Sequence, residues 1–115
     1  WKDRIKKLTS KLKIISIQKN MGWCDDPNSK FYNRLIKIKK NLKISYEKLF
    51  RKDNKYDLIL LIKYNYKKTL KNKGSAIFLH LTKNYSPTQG CIAIRKKDFI
   101  ILNKLINKNT KIKIT

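Results

Sequence analysis

The sequence predicts a mainly β domain of the α+β class, with one or two short helices. Three observations carry that prediction. Short apolar segments recur between polar, turn-rich stretches: YDLILLIKYN at 56–65, AIFLHL at 76–81 and CIAIR at 91–95. A single stretch, KKDFIILNKLIN, spaces its apolar residues at 99, 102, 105 and 106 as one helix face would. No apolar run approaches the ~20 residues that cross a bilayer, so no transmembrane segment is expected.

Taken in order, residues 1–20 mix Lys with apolar residues, and IISI within them reads as a short strand. MGWCDDPNSKFYN, 21–33, is rich in Gly, Asp, Pro, Asn and Ser and reads as a loop, packed down by Trp23, Phe31 and Tyr32. RLIKIKKNLKI shows partial alternation at Leu35, Ile36 and Ile38. Ser45 precedes YEKLF as an N-cap would, predicting a short helix that stops near Asp53-Asn54. The continuous run at 56–65 suits a strand buried on both faces. KKTLKNKG is a polar loop ending at Gly74, after which AIFLHL and CIAIR form the next strands. Asn107 to Thr110 make a turn, and KIKIT alternates as a closing strand. There is no internal repeat.

At 115 residues the chain fits one domain, and 41% hydrophobic residues supply a core that a disordered tail lacks. The 30 Lys+Arg against 7 Asp+Glu give a net charge of +23. Such a charge points towards anionic partners. However, the basic residues are overwhelmingly Lys, whereas base readout and bidentate phosphate clamps favour Arg. They are also spread along the chain among Ile and Asn, residues that share A/T-rich codons with Lys. Solvated Lys is therefore preferred over specific nucleic-acid recognition. The first residues, WKDRIKKLTSKLK, lack the apolar centre of a signal peptide, and a chain opening on Trp is consistent with a processed or missing N-terminus. Two cysteines without CxxC spacing and a single His leave no basis for a structural zinc site. A Cys24–Cys91 disulfide is open to an oxidising compartment, but it would consume Cys91 as a nucleophile.

The stretch GSAIFLHLTKNYSPTQGCIAI, 74–94, carries the only His and one of the two Cys. On a strand, Ala76, Phe78 and His80 share one face and Ile77, Leu79 and Leu81 the other. A hairpin-like return would bring His80 and Cys91 onto neighbouring antiparallel strands, ~4.8 Å apart. An imidazole so placed takes the proton of a thiol that is otherwise largely protonated at neutral pH. Gly90 lets a substrate approach closely, the N–H groups of Gly90 and Cys91 face a developing oxyanion, and Thr88 offers a hydroxyl for orientation. The competing reading is plain: a lone Cys in an apolar strand packs, and a lone His satisfies a structural network.

The segment TQGCIAI resembles the S/T-x-G-C signature of the L,D-transpeptidase catalytic domain, the YkuD-like family. The likeness is closest to a branch carrying GSAIFLH, here 74–80, followed by P-T-x-G-C, here PTQGC at 87–91. GWCDDP at 22–27, YN at 32–33 and a YD-run-YN block from Tyr56 to Asn65 belong to the same branch, in the same order. The resemblance implies a β-sandwich catalytic domain spanning 1–115. The N-terminal strands usual for the branch are not seen in the sequence, so that either the chain is the C-terminal part of a fuller domain or its sheet is completed differently. The resemblance also implies a Cys91 nucleophile, a His80 base, and thioester chemistry on the stem peptides of peptidoglycan in the bacterial cell envelope or periplasm, without metal or organic cofactor. Gln89 stands where many members have a second His, and Ala93-Ile94 where many have Asn or Arg. The loop between His80 and Cys91 is also shorter than in better-known members. Transpeptidation and carboxypeptidase action are left open, and a monomer is expected.

Further residues fall near this site in the motif order. Trp23, Asp25 and Asp26 are candidates to line a cleft and bind a substrate amine, against a turn-forming role for Asp before Pro. Tyr64 and Asn65 are candidates to reach substrate from a strand end, against ordinary packing. Asp57 and Cys24 read as structural. The rival to an enzyme is a basic module that keeps the fold without the chemistry and holds an anionic envelope polymer or nucleic acid through its Lys.

Overall fold

A computed structural model describes residues 8–82 and 91–113. Within these, the chain is mainly β, with two three-stranded sheets and one short helix. The first sheet holds β1 (Met21–Cys24) between β2 (Leu35–Lys37) and β3 (Tyr46–Lys48), both antiparallel to it. The second holds β5 (Phe78–Leu81) between antiparallel β4 (Ile59–Leu61) and parallel β6 (Ile92–Ile94). Helix α1 (Lys96–Leu105) follows β6.

The central sheet is apolar on both faces, which makes three layers. Ile59, Leu61 and Phe78 on one face pack with Trp23, Leu49, Tyr56 and Ile17. Leu58, Leu60, Leu79, Leu81, Ile92 and Ile94 gather on the other with Phe99 of α1. The alternation follows from the period-2 geometry of a strand sandwiched between a sheet and a helix. Trp23 meets Phe78 edge-on, with ring centroids 5.3 Å apart, so the first two layers interlock through aromatics.

Several local expectations are corrected. The stretch 21–33 opens with β1, the central strand of its sheet, and only its later part is a turn. Gly22 fits there because a Cβ would meet Ile38 Cγ1 at 3.1 Å and Tyr46 Cδ2 at 3.2 Å. The helix expected after Ser45 is instead β3. Ser45 does not cap: its hydroxyl donates to Asp25 Oδ1 at 2.6 Å and its N–H to Asp26 Oδ2 at 3.3 Å. With Ser45 fixed to that turn, Tyr46–Lys48 complete the open edge of β1, and tertiary pairing overrides weak helix propensity. IISI forms no strand, nor do residues 111–113, while 114–115 lie outside the described residues. The run at 56–65 narrows to three ladder residues.

The expected helix forms, with Asp98 in its first turn and Lys104 in its last, matching the macrodipole. Its buried residues are Phe99 and Asn103, with Ile106 buried just past its end, whereas Leu105 is 72% exposed. Asn103 is admitted to that face because its side chain donates to the Thr9 carbonyl and accepts from Ser10 Oγ, docking the N-terminal segment.

Asn33 joins the two sheets. It is 2% exposed and takes a left-handed backbone conformation, φ 58°, which Asn tolerates better than most residues. Its Oδ1 accepts from Trp23 Nε1 at 2.9 Å and from the Ala76 N–H at 3.3 Å. Its Nδ2 donates to the carbonyls of Tyr64 at 3.1 Å and Asn65 at 2.7 Å. Asn33→Ala strands these partners and is expected to lower unfolding stability by roughly 3–4 kcal/mol. Urea denaturation would read this as a lower midpoint at unchanged m, and an unchanged midpoint would show that the bridge contributes nothing.

Candidate functional site

His80 and Cys91 lie on the same face of the central sheet. The β5–β6 register pairs His80 with Ala93, and Cys91 is two residues before Ala93, hence on the same side. The strands are parallel, which corrects the hairpin-like arrangement expected from sequence. A lateral spacing of ~4.8 Å and a rise of ~3.3 Å per residue set the two Cβ atoms about 8 Å apart on the diagonal. At that spacing an imidazole and a thiol reach one small volume between them.

Each group is held by a backbone carbonyl. His80 is buried, and its Nδ1 lies 2.9 Å from the carbonyl oxygen of Leu81. A carbonyl only accepts, so Nδ1 is the donor in this contact and Nε2 is the nitrogen not engaged by it. The Cys91 thiol donates to the carbonyl of Ala76 at 3.2 Å. Ala76 itself adopts φ 56°, a left-handed conformation that costs an alanine about 1–2 kcal/mol. Its N–H is bound by Asn33 while its C=O receives the thiol. Both cysteines are free thiols, so no Cys24–Cys91 bridge forms.

A third set of groups closes on the pair from the other sheet. Trp23 faces Glu47 across the β1–β3 ladder, so both point towards the central sheet. There the Tyr56 hydroxyl donates to Glu47 Oε1. The Tyr56 ring stands edge-on to His80, with centroids 5.5 Å apart, and Arg51, itself paired with Asp53 at 2.6 Å, lies 5.2 Å over that ring. Burial pushes the Tyr56 phenol well above its ordinary range, and the bond to Glu47 and the charges of Glu47 and Cys91 add to the rise. Burial likewise pushes the Cys91 thiol up and Glu47 adds to it, while the Phe78 backbone N–H opposes both. The net effect favours the protonated thiol.

Trp23 is buried in the inter-sheet core. Asp25 and Asp26 are engaged by Ser45, and Asp26 also accepts from the Asn28 N–H at 2.9 Å, an Asx turn. Asn65, at φ 50°, closes the loop after it by bonds to Leu70 and to the Gly74 carbonyl. Tyr64 is exposed, at 55%. Thr88, Gln89 and Gly90 lie outside the described residues. The roles of Tyr56, Glu47 and Asn33 were not drawn from sequence. Tyr56 and Asn33 stand in the YD and YN pairs, but Glu47 was hidden by reading its strand as a helix. Among the described residues no group of three His, Cys, Asp or Glu could hold a metal ion. No helix among them is long and apolar enough to cross a membrane.

An imidazole and a thiol on one face of a sheet are the pair of groups that nucleophilic cysteine chemistry needs. Residues 9–114 match the L,D-transpeptidase catalytic domain, YkuD, and the chain belongs to that family. Membership implies an L,D-transpeptidase-like peptidoglycan enzyme class, one typically found in the cell envelope or periplasm. No curated protein and no solved structure matches the chain.

Because Glu47 raises the thiol, Glu47→Gln is expected to increase the rate of Cys91 alkylation at pH 7 by a factor of about 2–5. Cys24, fully buried, should stay unlabelled in both proteins. An unchanged Cys91 rate would mean that the carboxylate does not act on the sulfur.

Proposed function

We propose that this chain transfers acyl groups between peptidoglycan stem peptides through a thioester on Cys91, with His80 as the base. The observation that carries the reading is the shared face of His80 and Cys91, with Nε2 not engaged by the Leu81 carbonyl.

The chemistry follows from the resting state. The protonated thiol is favoured, so attack is coupled to proton removal and does not start from a standing thiolate. Rotation about the Cα–Cβ bond, between staggered wells, swings the sulfur from the Ala76 carbonyl towards His80. The proton passes to Nε2 as sulfur bonds to the carbonyl carbon of an amide beside a diamino acid. Backbone N–H groups of Gly90 and Cys91 receive the oxyanion, and Thr88 and Gln89 flank that position in sequence. Collapse breaks the C–N bond, and the imidazolium returns the proton to the departing amine of D-alanine. An amine of a second stem peptide then attacks the thioester, giving its proton to Nε2. The thiol leaves as Sγ–H once the imidazolium protonates it. Water in place of that amine yields a trimmed peptide, the carboxypeptidase outcome. The Phe78 N–H lowers the cost of the transient thiolate, and the Tyr56 ring limits the tilt of the imidazole.

Cys91→Ala should abolish new cross-links and trimmed stems when purified sacculi are incubated with the protein and their digests analysed by mass spectrometry. Circular dichroism should be unchanged. His80→Gln should reduce turnover by about 10²–10⁴-fold. Full turnover by Cys91→Ala would contradict the reading by placing the nucleophile elsewhere, whereas no turnover by the unaltered protein would leave the basic envelope-binding module in its place.

A further inference from the structure

Residues from the segments 27–34 and 69–71 line an open pocket of about 300 Å³ that does not include Cys91. Lys30, Arg34 and Lys71 line it together with the hydroxyl-bearing Ser29, Tyr32 and Thr69, and among the described residues no carboxylate does. We infer that this pocket binds a carboxylate of the substrate peptide, at a position removed from the bond that Cys91 attacks. The inference deepens the acyl-transfer reading and rests on it for the identity of the peptide.

Arg34 carries the argument. Its guanidinium is partly buried and fixed by three bonds: to the Asn33 carbonyl at 2.9 Å, Thr69 Oγ1 at 3.0 Å and the Tyr66 carbonyl at 2.6 Å. Its plane also lies 4.3 Å over the Tyr66 ring. All of these partners are neutral. They set the position of the charge without cancelling it, and they use three of five N–H donors, leaving two for a ligand. A partly desolvated cation held without a counter-ion is costly unless an anion completes it. In a chain whose basic residues are overwhelmingly Lys, the one charge pinned in this pocket is the planar fork suited to a carboxylate.

A chain of hydrogen bonds also connects the pocket to the site. The Asn33 carbonyl accepts from Arg34, Asn33 Oδ1 accepts from the Ala76 N–H, and the Ala76 carbonyl accepts from the Cys91 thiol. A carboxylate of the peptide other than at the scissile amide is the group such a pocket would hold. Free phosphate offers the same oxygen chemistry from another source, and the test separates the two.

Binding is measured by calorimetry on Cys91→Ala, so that turnover is not needed and failure of the catalytic reading does not obscure the result. The probes are a stem tetrapeptide with free carboxylates, the same peptide fully amidated, and inorganic phosphate. We expect the acidic peptide to bind at least 10-fold more tightly than the amidated one. Lys30→Gln/Lys71→Gln should remove most of that difference, whereas Lys39→Gln/Lys40→Gln, an equal charge loss outside the pocket, should leave it intact. Arg34→Lys, which keeps the charge and loses the fork, should weaken the acidic peptide selectively. Equal affinity for the two peptides, or equal losses from the two Lys pairs, would overturn the assignment. So would phosphate binding without peptide binding.

Discussion

The side-chain amide of Asn33 is the constraint on which the rest depends. It is buried where the turn after β1 meets the approach to β5, and each of its polar atoms is matched. The Trp23 indole, the 64–65 backbone and the Ala76 N–H are all tied to one group. A buried amide so satisfied specifies a unique arrangement, because any slip leaves several partners unpaired at about 1–3 kcal/mol each. Its reach extends further: Ala76 is held in a left-handed conformation and presents its carbonyl to the Cys91 sulfur. Strain tolerated at one residue, next to a nucleophile candidate and enforced by a core hydrogen bond, is the pattern of a backbone shaped for a site.

The electrostatics of that site run against a preformed thiolate. Burial comes first and the Glu47 carboxylate adds to it, both favouring the neutral sulfur. This is unexpected in a chain of net charge +23, and it shows how little the total charge says about one buried atom. Lysines at the surface are screened beyond about 10 Å, whereas Glu47 acts through the protein. A thiol is less reactive towards oxidants and electrophiles than a thiolate. The Glu47–Tyr56 pair then has two effects, holding the ring that faces His80 and adding to the burial that favours the neutral Cys91 sulfur.

The sequence was most legible where one periodicity dominated. Alternation in AIFLHL placed Phe78 and His80 on one face, and the helix spacing after residue 95 marked α1. The resemblance carried by GSAIFLH and PTQGC agreed with the family match over residues 9–114. It was least legible where tertiary pairing decided. Gly22, Asp25, Asp26 and Pro27 look like a turn, yet the first of them lies mid-strand because neighbouring side chains fill the space beside it. Residues 46–48 look helical in isolation and become β3 because β1 has an edge to fill. The parallel pairing of β5 and β6 left no local signature. Asn33, Asn41, Asn65 and Asn72 all adopt left-handed backbones, so the abundance of Asn is structural as well as compositional.

The account is tested most directly by locating the covalent intermediate. The protein is mixed with a tetrapeptide donor, quenched in acid within a turnover, digested, and sequenced by tandem mass spectrometry. The predicted result is an acyl adduct on the peptide containing Cys91, labile to hydroxylamine as a thioester is. Product formation with the adduct on another residue, or with no adduct under conditions that hold thioesters, would contradict it.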